Sequence, residues 1–479
     1  MRTKLKGLLM LPTLCAVVTA AGISLAKSET AAEEQAKMLG QAEQRMAAVN
    51  THPDAQWFPK AGFGVFIHWG IAAVGEVGDL SWSMLANRPW FDGTHTPNEY
   101  YGLIKQWNPD KMDMDRMLGQ IKAAGAQYAV FVTKHHDGFT FWPSAHGDIG
   151  TKHSFGGRDF VKEFVDGCRK HGLKVGLYYS PPDWWFDRNY KSFSFRGKQT
   201  DMDHKEVASI PKAPPEHNAA RAALIHGQVT ELLKNYGRID LLWFDGGNGK
   251  DISMAEVRKL MPGIVVNRRN GGQGDFGDSE GGLPSKQFSG WFEACVPAWP
   301  VRKWSYVKDY GNASAADVLA ELVMIRAWGG NLLSNVGPKA DGSIVPEVVA
   351  IWKEMAGWMK HSKESVYDVL PGRFPDQCDV PLTLRKGAGY LHFLPEFPER
   401  IPGMPRGERK FTRYKDVMPM LSARKTKGIW KGAPEVAKVT MLRTGKKIPF
   451  TYENGTLTVD VPEAERTKLV DVVKVTFKK

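Results

Sequence analysis

Apolar residues along this chain come in short blocks, and the blocks are separated by stretches with helical spacing. Phe63–Gly70, Tyr128–Thr133, Leu173–Ser180, Ile239–Phe244, Ile264–Val266 and Asn331–Val336 are strand-sized and largely apolar. A strand buried on both faces reads as such a run. Between the blocks, Met112–Ala124 sets Met114, Met117 and Ile121 on one face. Arg158–His171 does the same with Phe160, Phe164 and Val165, and Asn218–Tyr236 reads as a further helix. Ala31–Val49, rich in Ala, Glu, Gln and Met, has helix-forming composition. Strands alternating with helices predict a parallel α/β sheet. The number of units predicts a (β/α)8-type TIM barrel rather than an open sheet. A dinucleotide-binding sheet would carry a glycine-rich turn after its first strand. Here Gly271, Gly272 and Gly274 follow a late block and precede no helical pattern.

Near residue 370 the pattern changes. Long helical stretches stop, and short segments such as Val436–Leu442 and Leu457–Val461 alternate with turn signals. This predicts a small C-terminal antiparallel β-sandwich. The expected division is a signal peptide at 1–26, a helical lead-in at 27–56, a barrel at 57–368 and the sandwich at 369–479. The polar stretch 186–218 is expected to be a long loop over the barrel mouth. The leader reading rests on Arg2, Lys4 and Lys6, then the apolar Leu8–Val18, then Ser24-Leu25-Ala26 as a small-residue cleavage site. The apolar run is too short and interrupted for a membrane span. An exported protein is expected, periplasmic or extracellular, with no membrane contact once mature.

Of four cysteines, cleavage would leave Cys168, Cys295 and Cys378, which are too few and too scattered for a disulfide framework. The net charge of +12 is concentrated toward the C-terminal third, for example at Arg406, Arg409, Lys410, Arg413, Lys415, Arg424, Lys425 and Lys427. No nucleic-acid motif accompanies it, so it reads as a solvated basic face and no nucleic-acid partner is expected.

The candidate chemistry lies at the ends of the predicted strands. His68, His135, Tyr179, Asp245 and Arg269 each fall at or just past one, and a barrel gathers such tips at a single mouth. Asp245 follows Leu241-Leu242-Trp243-Phe244 and precedes Gly246. Asp-Gly is also ordinary turn punctuation, but a carboxylate on a buried strand needs a partner. Two carboxyl groups suffice for glycoside hydrolysis, one attacking the anomeric carbon and the other exchanging a proton with the leaving oxygen. Asp245 suits the attacking role. Glu293, flanked by Trp291, Phe292, Ala294 and Cys295, is a candidate acid because desolvation raises a carboxyl pKa. Glu280, in Asp278-Ser279-Glu280-Gly281, is its rival and reads as more solvated. His135-His136-Asp137 also admits a metal reading. Adjacent strand residues point to opposite faces, and no zinc or iron ligand spacing is present. No metal is therefore expected, and the histidines are expected to bond sugar hydroxyls. The 16 Trp residues suit both core packing and carbohydrate contact.

Phe63-Gly64-Val65-Phe66-Ile67-His68-Trp69-Gly70, Lys134-His135-His136-Asp137-Gly138-Phe139, Gly176-Leu177-Tyr178-Tyr179-Ser180, Trp243-Phe244-Asp245-Gly246 and Gly329–Pro338 resemble, in order, segments of the α-L-fucosidases of glycoside hydrolase family 29. The resemblance implies a retaining exo-α-L-fucosidase on a barrel plus sandwich, needing no cofactor and acting on terminal α-L-fucose of glycans, plain or sulfated. The family's nucleophile falls on Asp245. Its acid/base falls on Glu293, where Phe292 replaces the family's Trp. Trp304 and Tyr306 match the residues that follow. Sugar-binding positions fall on His68, Trp82, His135, His136, Tyr179, Trp243, Arg269 and Trp304. Two positions depart from the family: Ser81 stands where a Glu precedes Trp82, and Arg268 stands where an Asp precedes Arg269. These leave three other readings open: an exo-α-L-galactosidase, a member specific for sulfated fucose, and a glycan-binding protein without turnover.

Overall fold

The computed structural model describes residues 30–42, 50–89, 95–282, 284, 288–297, 303–308, 313–395 and 425–478. The expected leader, the last residues of the first predicted helix and the basic run from Arg406 to Arg424 lie outside them. Eight strands form one sheet: β1 (Phe63–Ile67), β2 (Tyr128–Lys134), β3 (Lys174–Tyr179), β4 (Leu241–Phe244), β5 (Val265–Val266), β6 (Gly277–Glu280), β7 (Phe292–Pro297) and β8 (Asn331–Val336). Their order is β5-β4-β3-β2-β1-β8-β7-β6, and all pairs are parallel. A parallel bridge between Asn267 and Phe276 joins the two outer strands, and the Asp275 N–H donates to the Val266 carbonyl at 2.7 Å. The ring therefore closes as a barrel.

Helices α1 (Ala31–Ala42) and α2 (Phe58–Ala61) precede or enter the barrel. They are followed by α3 (Pro97–Gly102), α4 (Met114–Ala123), α5 (Phe160–Lys170), α6 (Pro215–Lys234), α7 (Met254–Leu260), α8 (Ala315–Ala327) and α9 (Pro346–Ser362). Local chemistry accounts for their starts. Asp159 accepts the Lys162 N–H at 2.8 Å and caps α5, whose Phe160, Val161, Phe164 and Val165 are buried. Ser253 and Ser314 open α7 and α8 with capping boxes. The loop 267–276 joins β5 to β6 without a helix.

Strand alternation sorts side chains into two layers. Phe66, Val130, Val132, Tyr178, Leu241, Trp243, Val265, Cys295 and Leu333 fill the barrel interior. Val65, Ile67, Phe131, Leu177, Tyr179, Leu242 and Phe244 pack outward against the helices. At the N-terminal end of the barrel Tyr128 fills the interior beside Gly64, where a Cβ would stand 2.3 Å from its ring. Buried Arg326 ties this end together. It donates to the carbonyls of Val366, Gly330, Pro59 and Val369 and to the Asn331 side chain.

Beyond α9 come β9 (Leu370–Pro371), β10 (Leu382–Arg385), β11 (Ala388–Phe393), β12 (Lys427–Lys431), β13 (Val436–Met441), β14 (Phe450–Glu453), β15 (Thr456–Asp460) and β16 (Asp471–Phe477). They form antiparallel sheets ordered β13-β16-β11-β10-β9 and β12-β15-β14, which enclose a second core of Leu382, Leu391, Trp430, Leu457, Val459 and Val473. Cys168, Cys295 and Cys378 are free and buried. No helix among the described residues is long and apolar enough to cross a membrane.

Candidate active site

Asp245 leaves the tip of β4 with its N–H bonded to the Tyr179 carbonyl at 3.1 Å. One carboxylate oxygen accepts from Arg269 Nη1 at 2.9 Å, and the other accepts from the Tyr178 hydroxyl at 2.7 Å. His136 Nε2 lies 3.6 Å from that second oxygen. Burial alone would raise this carboxyl. Arg269 above all, then His136, His135 and the Tyr178 hydroxyl, hold it well below the usual carboxylate range. Asp245 is thus an ionised carboxylate in a nearly dry site.

Arg269 holds more than one acid. Its guanidinium lies 2.6 Å from Asp278 and 3.3 Å from Glu280, and it stacks 4.6 Å above the Trp243 ring. Asp278 and Glu280 alternate along β6, so both face the barrel interior. Glu280 ends the strand at the mouth with a third of its side chain exposed. Burial raises its pKa, Arg269 opposes this and the Asp245 charge adds to it, leaving it above the ordinary value.

Glu293 lies elsewhere, and the expectation that it joins Asp245 has to be corrected. It is the second residue of β7 and pairs with Asn331, the first of β8. Its side chain is fully buried against Tyr128, the first residue of β2, whose hydroxyl lies 2.5 Å away. The Trp243 indole N–H donates to its other oxygen at 3.0 Å. Burial pushes its pKa up to about 8. The carboxyl is therefore at the closed end of the barrel, beneath Trp243, whereas Glu280 lines the pocket with Asp245.

Pocket-lining residues include His68, Trp82, His135, Trp243, Arg269 and Trp304, together with Phe66, Leu80, Tyr178 and Cys295. Tyr179 is a second correction. It follows Tyr178 on β3, so it points outward, and its hydroxyl donates to Gln228 of α6 at 2.8 Å. His136 does not line the pocket. It stacks on Trp184, bonds Ser180 through Nδ1, and leaves its buried Nε2 without a hydrogen-bond partner. Asn335 fixes two walls at once, bonding His68 Nδ1 at 2.7 Å and donating to the Trp304 carbonyl at 2.8 Å. Burial lowers the histidines, His68 to about 3 and His136 to about 4, with His135 also well below its ordinary value. They are neutral near pH 7 and can both give and accept hydrogen bonds.

The chain bends at the paired histidines. β2 ends at Lys134, and the turn beyond it brings ligand atoms of His135, His136 and Asp245 within 4.8 Å of one another. Such a set could hold a divalent cation, although the Arg269 guanidinium already pairs with the carboxylate. Ser81 is fully buried and hydrogen-bonds His135 Nδ1. Arg268 is buried near Asp278 and Asp275 and is not among the residues that line the pocket. Asp79 is engaged by Arg88 at 3.0 Å.

Sequence reasoning missed Tyr178 and Asp278, and it missed Gln35 and Met38 of α1, which also line this pocket. Tyr178 was recoverable from alternation, since it shares its face with the barrel interior. Nothing in the pattern of α1 places it over the mouth.

The α-L-fucosidase family model matches residues 29–364. The chain is 26% identical to the tissue α-L-fucosidase of Bos taurus over 385 residues, covering 74% of this chain and 77% of that protein. It is 27% identical to the plasma α-L-fucosidase of Rattus norvegicus over 375 residues, covering 70% and 75%. The structure of α-L-fucosidase isoenzyme 1 from Paenibacillus thiaminolyticus superposes with a TM-score of 0.71 at 26% identity, covering 89% of this chain and 99% of that one. By the extent of the family match and the ordered barrel that carries it, this chain belongs to the α-L-fucosidase family.

Proposed function

We propose that the chain is a retaining, exo-acting α-L-fucosidase with Asp245 as nucleophile and Glu280 as acid/base. The observation that carries this reading is that both carboxyl groups bind one guanidinium, that of Arg269, at the barrel mouth. An Asp245 oxygen bonds to the anomeric carbon while the bond to the leaving oxygen breaks, and Glu280 supplies that oxygen's proton. Water then attacks the anomeric carbon, gives a proton to Glu280, and releases Asp245. The electrostatics support the cycle. The Asp245 charge helps keep Glu280 protonated before attack. Esterification removes that charge, so the Glu280 pKa falls as its role changes to base. Arg269 stabilises the carboxylate in both resting states.

Phe66, Leu80 and Trp304 give the pocket an apolar wall beside the neutral histidines. This suits a 6-deoxy sugar, which presents a methyl group on one side and hydroxyls on the other. We also assign the barrel to 57–368, the sandwich to 369–479, the lead-in to 27–56 and an export signal to 1–26, with the mature protein outside the cytoplasm. The test is hydrolysis of an aryl α-L-fucoside by wild type and Asp245→Asn, with NMR reading of the first-formed anomer. Release of α-L-fucose that collapses in the variant supports the assignment. β-L-fucose as first product, or undiminished turnover in the variant, overturns it.

A further inference from the structure

Helix α1 precedes the barrel in sequence yet reaches its catalytic mouth. It packs against β6, the strand that ends in Glu280, and brings Gln35 and Met38 into the pocket lined by Asp245 and Glu280. Met38 is buried there, against the residue that follows Asp245. A Cβ on Gly246 would stand 2.8 Å from Met38 Sδ, and Gly246 has φ +95°, so glycine at this position both permits the turn and seats the helix. The helix is held at its first turns. Glu34 pairs with Lys191 at 3.0 Å, Lys191 lies 4.6 Å above the Trp184 ring, and Trp184 stacks on His136. Past Met38 a second cavity opens, lined by Lys37, Arg221, Asn248 and Asp251 among others.

This placement divides the pocket. Trp243 comes from inside the barrel and His68 and His135 from just past the ends of β1 and β2, where the proposed reaction places the sugar that is cleaved. Gln35 and Met38 come from outside the strand ends, next to the group that protonates the leaving oxygen. On the proposed reaction, on which this inference rests, the leaving group extends from that oxygen toward the mouth. We propose that α1 forms the leaving-group site: Met38 supports the apolar face of an uncharged, hydroxylated sugar ring and the Gln35 amide bonds its hydroxyls. The mixed charges of the neighbouring cavity suit hydroxyl groups better than an ionic leaving group.

The test compares α-L-fucosyl fluoride, whose leaving group is too small to touch α1, with α-1,2-, α-1,3- and α-1,6-linked fucosyl disaccharides, in wild type, Met38→Ala and Gln35→Ala. The readout is kcat/KM on the best disaccharide divided by kcat/KM on the fluoride. A fall of fivefold or more in either variant is expected. A ratio that stays within fivefold of wild type in both variants overturns the proposal. Fluoride turnover reports separately on the folded catalytic centre, so a misfolded variant is recognised by loss of both rates. A wild type that turns over neither substrate would instead refute the fucosidase reading itself.

Discussion

Replacing each glutamate by glutamine separates the two candidate acids. Glu280→Gln removes the proton donor at the mouth but keeps the side-chain shape. General acid catalysis contributes roughly 10²–10⁴-fold, which is about 3–5 kcal/mol of barrier at about 1.4 kcal/mol per tenfold. A loss of that size in kcat/KM is expected on a disaccharide, whose sugar leaving group needs the proton, with a much smaller loss on fucosyl fluoride. Glu293→Gln should act differently. Its pKa of about 8 means that the wild-type side chain is largely neutral at pH 7. An uncharged amide still accepts from the Trp243 indole, while its NH2 faces the Tyr128 oxygen, reversing the bond in which the Tyr128 hydroxyl donates. Activity within about threefold of wild type is therefore expected, against the 10²–10⁴-fold of a lost general acid.

The Glu293 change should also alter stability with pH. Unfolded, the carboxyl titrates near 4.5; folded, it holds its proton to about 8. The native state thus binds the extra proton between these values, and its contribution is fully present below pH 4.5 and lost as pH rises through 8. At about 1.4 kcal/mol per pKa unit the loss is of order 5 kcal/mol. Denaturant unfolding at pH 5 and pH 8.5 should show wild type losing stability relative to Glu293→Gln by an amount of this order. A Glu293→Gln variant that loses a hundredfold in activity, beside a Glu280→Gln variant that loses little, would refute the assignment of the two residues.

Tyr178→Phe removes the hydroxyl that bonds Asp245, and a hydrogen bond to a charged group is worth about 1.5–3 kcal/mol. Its kcat/KM should fall about 10–100-fold, by about 1.4 kcal/mol per tenfold; Tyr179→Phe, which loses only the bond to Gln228, should stay near wild type, and equal losses would refute the inward placement of Tyr178. The pH profile of kcat/KM should fall on the alkaline side as Glu280, raised above its ordinary value by burial and by Asp245, gives up its proton. That limb should vanish in Glu280→Gln, and its persistence would point to another acid. Arg326→Leu strands several buried carbonyl oxygens at the closed end of the barrel, so the urea midpoint should report at least about 3 kcal/mol lost, from about 1–3 kcal/mol per unsatisfied group. A loss under about 1 kcal/mol, the net worth of one ordinary hydrogen bond, would show that this end is held by other contacts.

The sequence made the barrel legible wherever strands were apolar on both faces, as at Phe63–Ile67, Tyr128–Lys134 and Leu241–Phe244. It missed β6 and β7, and at β6 the reason is physical. Gly277-Asp278-Ser279-Glu280 buries polar side chains whose partner, Arg269, is supplied by the preceding loop. No hydrophobic pattern marks a strand stabilised by charge. Glu293 misled in the opposite sense. Its apolar neighbours correctly signalled a buried carboxyl with a raised pKa, but depth along a barrel strand depends on register with its neighbours. In that register Glu280 lies opposite Cys295, two residues beyond Glu293. Tyr179 erred by a single residue, which in a strand reverses the face.

Arg269 also explains why the site tolerates so much buried negative charge. Asp245, Asp278 and Glu280 all contact it, and their combined field raises its pKa well above the ordinary value despite burial. A single cation cannot neutralise three anions. Burial above all, with the Asp245 charge adding to it, leaves Asp278 and Glu280 raised, while Asp245, also facing the histidines and Tyr178, is held low. These opposed shifts separate the carboxyl groups into a nucleophile held below the usual carboxylate range and an acid held above it. Replacing Arg268 by a smaller residue would perturb this division less, because Arg268 is not among the residues that line the pocket. Replacing Arg269 would remove it, since each carboxylate would then meet the others without a counterion.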